Sequence, residues 1–195
     1  MNFSPDIVNK LIENRRSVFQ QQYSGEKVDD AIVNQILQNA NWAPTHKLTE
    51  PWRFVVFAGE GIQKLAEFQS NLYKQLATAD GSYKEDKYQN LLTKPSMSSH
   101  IIAIGMKRDE KNSIPEIEEI GATFCAIENM YLTATAYEIG CYLSTGGITY
   151  FEEAKSFFGL GKEDKLLGFL HLGIPKAQPG PGRRKPVSEK ITWVN

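Results

Sequence analysis

A chain of 195 residues with 22 basic and 23 acidic side chains carries a formal charge of −1, which excludes a global field able to recruit nucleic acid or an anionic membrane. That length buries roughly 70% of the surface its unfolded form exposes, so one domain over residues 1–195 needs no disulfide or metal staple. Cys125 and Cys141 lack metal-type spacing, the N-terminal stretch has neither a basic region nor an apolar run, and no segment approaches the roughly 20 apolar residues of a membrane span, so the expectation is a reduced, cytoplasmic protein.

Ser4, Pro5 and Asp6 make a helix start, and Ile7, Val8, Leu11 and Ile12 then share one face, which predicts a helix over 5–14. Val28, Ile32, Val33, Ile36, Leu37 and Ala40 keep helical spacing until Pro44 forbids continuation, so a second helix is predicted over 29–42. Residues 53–57 are β-prone and stop at Gly59, after which Ile62, Leu65, Ala66, Phe68 and Leu72 resume a helical pattern. Residues 78–98 are polar with helical character, and 100–106 is a second strand.

Ile120, Phe124, Ile127, Tyr131 and Ala134 follow helical spacing with apolar residues filling the flanks, which predicts a central buried helix ending at Gly140. Residues 141–143 form a short strand candidate, 144–147 a turn, 151–158 a short helix closed by Gly159, and 165–172 a third firm strand. Residues 174–186 hold four prolines and two glycines, too many for a helix, so an extended arm is expected. The apolar end of that arm, Ile191, Trp193 and Val194, is expected to dock on a second subunit.

Two clusters suggest a bound phosphorylated cofactor: Arg15, Arg16 and Ser17 at a helix end, and the turn Ala43-Pro44-Thr45-His46-Lys47 before Pro51 and Trp52. Taken alone, the arginine doublet also suits a solvated helix C-terminus, His46 a solvated loop, and Trp52 a core position at a strand start. A second basic group, Arg183, Arg184 and Lys185, lies at the far end of the arm, where it can close on the same phosphate or serve as a basic gatekeeper of an apolar tail. Ser144, Thr145, Gly146 and Gly147 offer hydroxyls and amides with little bulk, a surface for a flat ring or a phosphate. P-loop, Rossmann and serine-elbow patterns are absent, and the three histidines at 46, 100 and 171 have no zinc spacing.

In order, Arg-Arg-Ser at 15–17, Ala-Pro-x-His-Lys at 43–47, Pro-Trp at 51–52, the helix between Gly121 and Gly140, the strand at 167–175 and Arg-Lys-Pro at 184–186 resemble the FMN-dependent nitroreductase family. The resemblance implies an α+β fold, an antiparallel sheet surrounded by helices, in a homodimer with two FMN sites at the interface and exchanged C-terminal segments. It puts Arg15, Arg16 and Ser17 on the phosphate and ribityl chain, Trp42 and His46 beside the flavin, Leu143, Ser144 and Thr145 along the ring, and Arg184 on the phosphate. NAD(P)H is implied as diffusible reductant and a nitroaromatic, quinone or other electron-poor small molecule as acceptor, in a two-step ping-pong reaction carried by FMN, with no catalytic side chain. The chain departs from the family pattern at Val18 and Phe19, where another basic residue is common, and at Leu48 and Glu50, where Asn and Gln are common. A flavin-binding carrier or sensor without turnover is the alternative on the same fold.

Overall fold

The computed structural model describes residues 4–195; residues 1–3, part of the stretch read for a leader, lie outside the described residues. Helix α1 (Pro5–Asn14) starts at proline as predicted, yet Ile7 and Ile12 stay 69% and 53% exposed, so its apolar face is not buried within the protomer. Helix α2 (Asp30–Ala40) is capped by Asp29, whose carboxylate accepts the Ala31 amide at 2.8 Å, and it buries Val33, Ile36 and Ala40. Strand β1 (Trp52–Ala58) is followed by α3 (Glu60–Ala79), which outruns the predicted pattern, and by α4 (Glu85–Thr93), which forms within the polar excursion.

Strands β2 (His100–Met106), β3 (Gly140–Ser144) and β4 (Lys165–Gly173) complete one antiparallel sheet in the order β1-β2-β4-β3. Its register pairs Val55 with Ala103, Ala103 with Phe169 and Leu143 with Leu170. Alternation along β2 sorts two cores. Ile102 and Ile104 face α2 and α5 (Glu116–Ala136) together with Leu170, Leu172 and Met130, whereas Ile101 and Ala103 join Leu65, Phe158 and Phe169 on the α3 side.

Helix α5 departs from its predicted end and from its predicted burial. It stops at Ala136, with Glu138 rather than a glycine taking the left-handed conformation at φ 57°. Gly140 opens β3 instead, because a Cβ there would come within 3.0 Å of Val18 and of the Tyr23 ring, so the glycine answers to packing and not to capping. One side of α5 is buried against the sheet, but Ile117 and Phe124 on the other are 71% and 42% exposed. At its start, fully buried Glu119 pairs with Arg108 and accepts the Asp109 amide at 2.8 Å.

The arm leaves β4 zipped to an early segment. Tyr23 bridges Pro175, the Ser24 amide donates to Ile174 O and the Lys176 amide to Gln22 O, both at 2.8 Å. Beyond that the arm is exposed, Trp193 at 83%.

Candidate cofactor and active site

Arg15 and Ser17 lie on an extended run beside the outer edge of β3, fastened by the Val18 amide to Cys141 O at 2.9 Å. The Arg15 guanidinium stands 5.1 Å above the Tyr131 ring, and its carboxylate neighbour, Glu128, is 3.9 Å away, a loose contact that leaves the guanidinium able to take another anion. The Tyr131 hydroxyl accepts the Leu143 amide at 2.7 Å, with the Ser17 side chain beside it. Burial raises the Tyr131 phenol above its ordinary value, so it stays protonated, and it pushes the adjacent Cys141 thiol up to about 12. Arg15, Ser17 and Leu143 are thus brought together around one phenol. Arg16 is turned the other way, toward the arm, and Arg184 is exposed, bonded to the carbonyl of Arg183.

Across β3 opens a cavity of about 820 Å³ whose floor includes Tyr142, Ser144, Phe169 and His171, with α3 and α4 as walls and Lys84, Lys87 and Lys94 among its polar lining. Gly146 and Gly147 also line it, and a Cβ at either would meet nothing within 4 Å. Gly147 needs its glycine for φ +71°, but at Gly146 neither backbone nor packing requires one, so its bareness leaves clearance in the cavity.

At the cavity floor, Gln20 Nε2 donates to His171 Nδ1 at 2.7 Å and the Ser98 hydroxyl lies 3.1 Å from the same atom, which assigns the ring proton to Nε2. Burial drives His171 down to about 4 from 6.5. Between those values the unfolded chain binds a proton that the folded chain refuses, so stability rises with pH across the window and is lost as pH falls through it. For His171 alone the difference amounts to about 3 kcal/mol. His171→Asn, which keeps an acceptor for Gln20, is therefore expected to reduce the pH dependence of the unfolding free energy between pH 4 and 6.5 in urea titrations; an unaltered slope contradicts the assignment.

Trp42 and His46 are not brought to Arg15 within the protomer. Trp42 is 85% exposed in a groove with Leu11 and Leu132. His46 Nδ1 is 2.5 Å from Glu118 Oε2, and Glu118 and Glu128 are ten residues, about 15 Å, apart along α5. The loop that carries His46 holds three non-glycine residues at positive φ, Lys47 (51°), Leu48 (54°) and Glu50 (42°), a conformation that costs about 1–3 kcal/mol each and is retained where structure or function demands it. Lys47 Nζ to Ser113 O at 2.9 Å and Thr45 Oγ1 to Thr49 Oγ1 at 3.1 Å brace it. Trp52 takes the core position that its strand start suggests, its indole donating to Asn41 Oδ1 at 2.9 Å.

Sequence reasoning missed Tyr131, Gln20 and His171. Tyr131 falls on an apolar helix face, where nothing in the pattern marks its hydroxyl. Alternation along β4 sets His171 on the Phe169 face, a signal that was available, whereas Gln20 has none.

A family model described as the Nitroreductase family matches residues 12–174. YdjA of Escherichia coli (strain K12), an inferred NAD(P)H nitroreductase, is 31% identical over 172 residues, 86% of this chain and 87% of its own. The crystal structure of a nitroreductase-like family protein from Bacillus cereus shares the fold with a TM-score of 0.81 at 27% identity, covering 100% of this chain and 98% of that one. The FMN-dependent nitroreductase NfnB from Mycobacterium smegmatis, in complex with NADPH, has a TM-score of 0.73 at 16% identity, over 97% and 99% of the two chains, a likeness of fold. A match across most of the length, with a relative this similar, decides the membership: the chain belongs to the nitroreductase family.

Proposed function

We propose that this chain is an FMN-dependent oxidoreductase that passes electrons from NAD(P)H to a small electron-poor acceptor, a nitroaromatic or a quinone, with the two ligands using one face in turn. The observation that carries this is the loosely paired Arg15, beside Ser17 and the protonated Tyr131, at the edge of a strand whose other side opens into a roomy, glycine-floored cavity. These residues fit the cofactor. A guanidinium with a hydroxyl is a donor set for a phosphate dianion, and the bare Gly146 beside Ser144 leaves room for a flat ring. YdjA and NfnB bear names that couple this family with NAD(P)H, and that of NfnB includes FMN.

In this account Arg15 and Ser17 hold the phosphate with Arg184 of the arm, and Leu143, Ser144 and Thr145 line the ring. FMN, when bound, supplies the hydride chemistry between NAD(P)H and acceptor. The chain orients it, shields it with α3 and α4, and assigns no side chain as acid or base. Roughly thirty non-hydrogen atoms at about 0.3 kcal/mol each correspond to about 9 kcal/mol, a sub-micromolar dissociation constant. The two free cysteines suit a reducing cytoplasm.

The protein acts as a homodimer with two sites. Ile117 and Phe124 of α5, the outer face of α1, and Trp42 form apolar surface that a second copy covers, and the same docking delivers Trp42 and His46 to the partner's flavin across the distance that separates them from Arg15. The tail from Ile191 to Val194 finds its burial on that partner. The test is anaerobic mixing with NADPH and then NADH. Bleaching of the flavin within seconds, followed by reoxidation with a nitroaromatic or a quinone, is the expected result; bound flavin that stays oxidised leaves only a carrier or sensor.

A further inference from the structure

Arg16 faces different surroundings from Arg15. Its Nε–H donates to Gly180 O at 3.1 Å, and Nη1 donates to Glu13 O at 2.5 Å and Arg15 O at 2.8 Å. Three donors of one planar fork are thereby spent on carbonyls, joining the end of α1 to the C-terminal arm. Gly182 closes over the same group: a Cβ there would lie 2.6 Å from Arg16 Cζ and 2.7 and 2.8 Å from its terminal nitrogens. Gly182 has no positive φ, and a side chain there would have to displace the guanidinium. Among the described residues, Arg16 to Gly180 is the one hydrogen bond tying 177–195 to the rest of the protomer, the preceding ties ending at Lys176. Beside this grip lies a cavity of about 470 Å³ lined by Asn14, Thr135, Pro179 and Pro181.

We propose that Arg16 is a positioning residue, a clamp that grips the arm at Gly180 and Gly182 so that Arg183 and Arg184 emerge beside the phosphate subsite of Arg15 and Ser17. Arg184 lies two residues past Gly182, within about 7 Å of chain, so the grip fixes where its side chain can reach. Released from Arg16, the arm pivots at Lys176 and the effective concentration of Arg184 at the phosphate falls. The clamp rests on the FMN proposal only for this last consequence, because the grip itself exists without cofactor.

The experiment measures tryptic cleavage after Lys176 and Arg183 in cofactor-free protein, and FMN affinity, for Arg15→Ala, Arg16→Ala, Gly182→Ala and their combinations with Arg184→Ala. Arg16→Ala and Gly182→Ala are expected to be cut about tenfold faster than the parent, as the loss of one hydrogen bond raises the open population, whereas Arg15→Ala is cut at the parent rate. Adding Arg184→Ala is expected to weaken FMN binding further in the Arg15→Ala background but hardly at all in the Arg16→Ala or Gly182→Ala background. Parent-like cleavage of Arg16→Ala, or full additivity with Arg184→Ala, overturns the clamp. Unchanged FMN binding by Arg15→Ala sinks the phosphate assignment instead, and the cleavage rates then still decide the clamp.

Discussion

Arg15→Ala is expected to weaken FMN binding by about 10- to 150-fold, the 1.5–3 kcal/mol carried by a hydrogen bond to a charged group. The side chain is partly buried over Tyr131 and its distance to Glu128 is long, so little native pairing is lost with it, and the loss falls on the ligand. Thermal stability should fall only modestly, since a cation over a ring contributes about 0.5–1 kcal/mol at exposed sites and about 2 kcal/mol when desolvated. Arg15→Lys should recover only part of the affinity, because an ammonium lacks the two-pronged geometry that matches phosphate oxygens. Quenching of flavin fluorescence during titration of the cofactor-free protein measures all of this. Parent-like affinity of Arg15→Ala would place the phosphate elsewhere.

Glu119→Ala is expected to cost about 3–5 kcal/mol of folding stability, the largest single loss foreseen, because it takes the carboxylate partner from the mostly buried Arg108 guanidinium. The carboxylate also receives the Asp109 amide, so the connection from β2 into α5 loses its brace together with its ion pair. Replacing both partners, Glu119→Leu with Arg108→Met, should return most of the stability, since the desolvation penalty of a buried pair is removed along with its attraction. Urea unfolding of the two variants beside the parent checks this. A loss under 1 kcal/mol for Glu119→Ala would mean that the pair is not buried as described. The consequence for the site is local: the first turn of α5 carries Glu118, the partner of His46.

Helix starts and sheet faces were legible because their causes are local. Proline at position 5 opens α1, and the alternation of Ile101, Ile102, Ala103 and Ile104 sorts two cores without reference to the rest of the chain. Gly140 misled because its missing Cβ makes room for Val18 and Tyr23, residues far earlier in the chain that helical spacing cannot display. The all-round apolarity of α5 suggested a central helix, although it records two different surfaces, a buried one and one left open by the protomer. At the site, the order of the short motifs was enough to suggest the family. It did not reveal that the Tyr131 hydroxyl holds the Leu143 amide, that Gln20 and Ser98 fix the tautomer of His171, or that α4 walls the cavity, since each depends on segments meeting in space. Nor did it distinguish the two arginines of the doublet, whose side chains diverge.

Titration of cofactor-free protein with FMN and, separately, with riboflavin isolates the phosphate, on which the whole account turns. Arg15 with Arg184 should make FMN bind about 100-fold more tightly or better, as two charge-assisted contacts of about 1.5–3 kcal/mol each require. Equal affinity for the two flavins, or binding of neither, would contradict it.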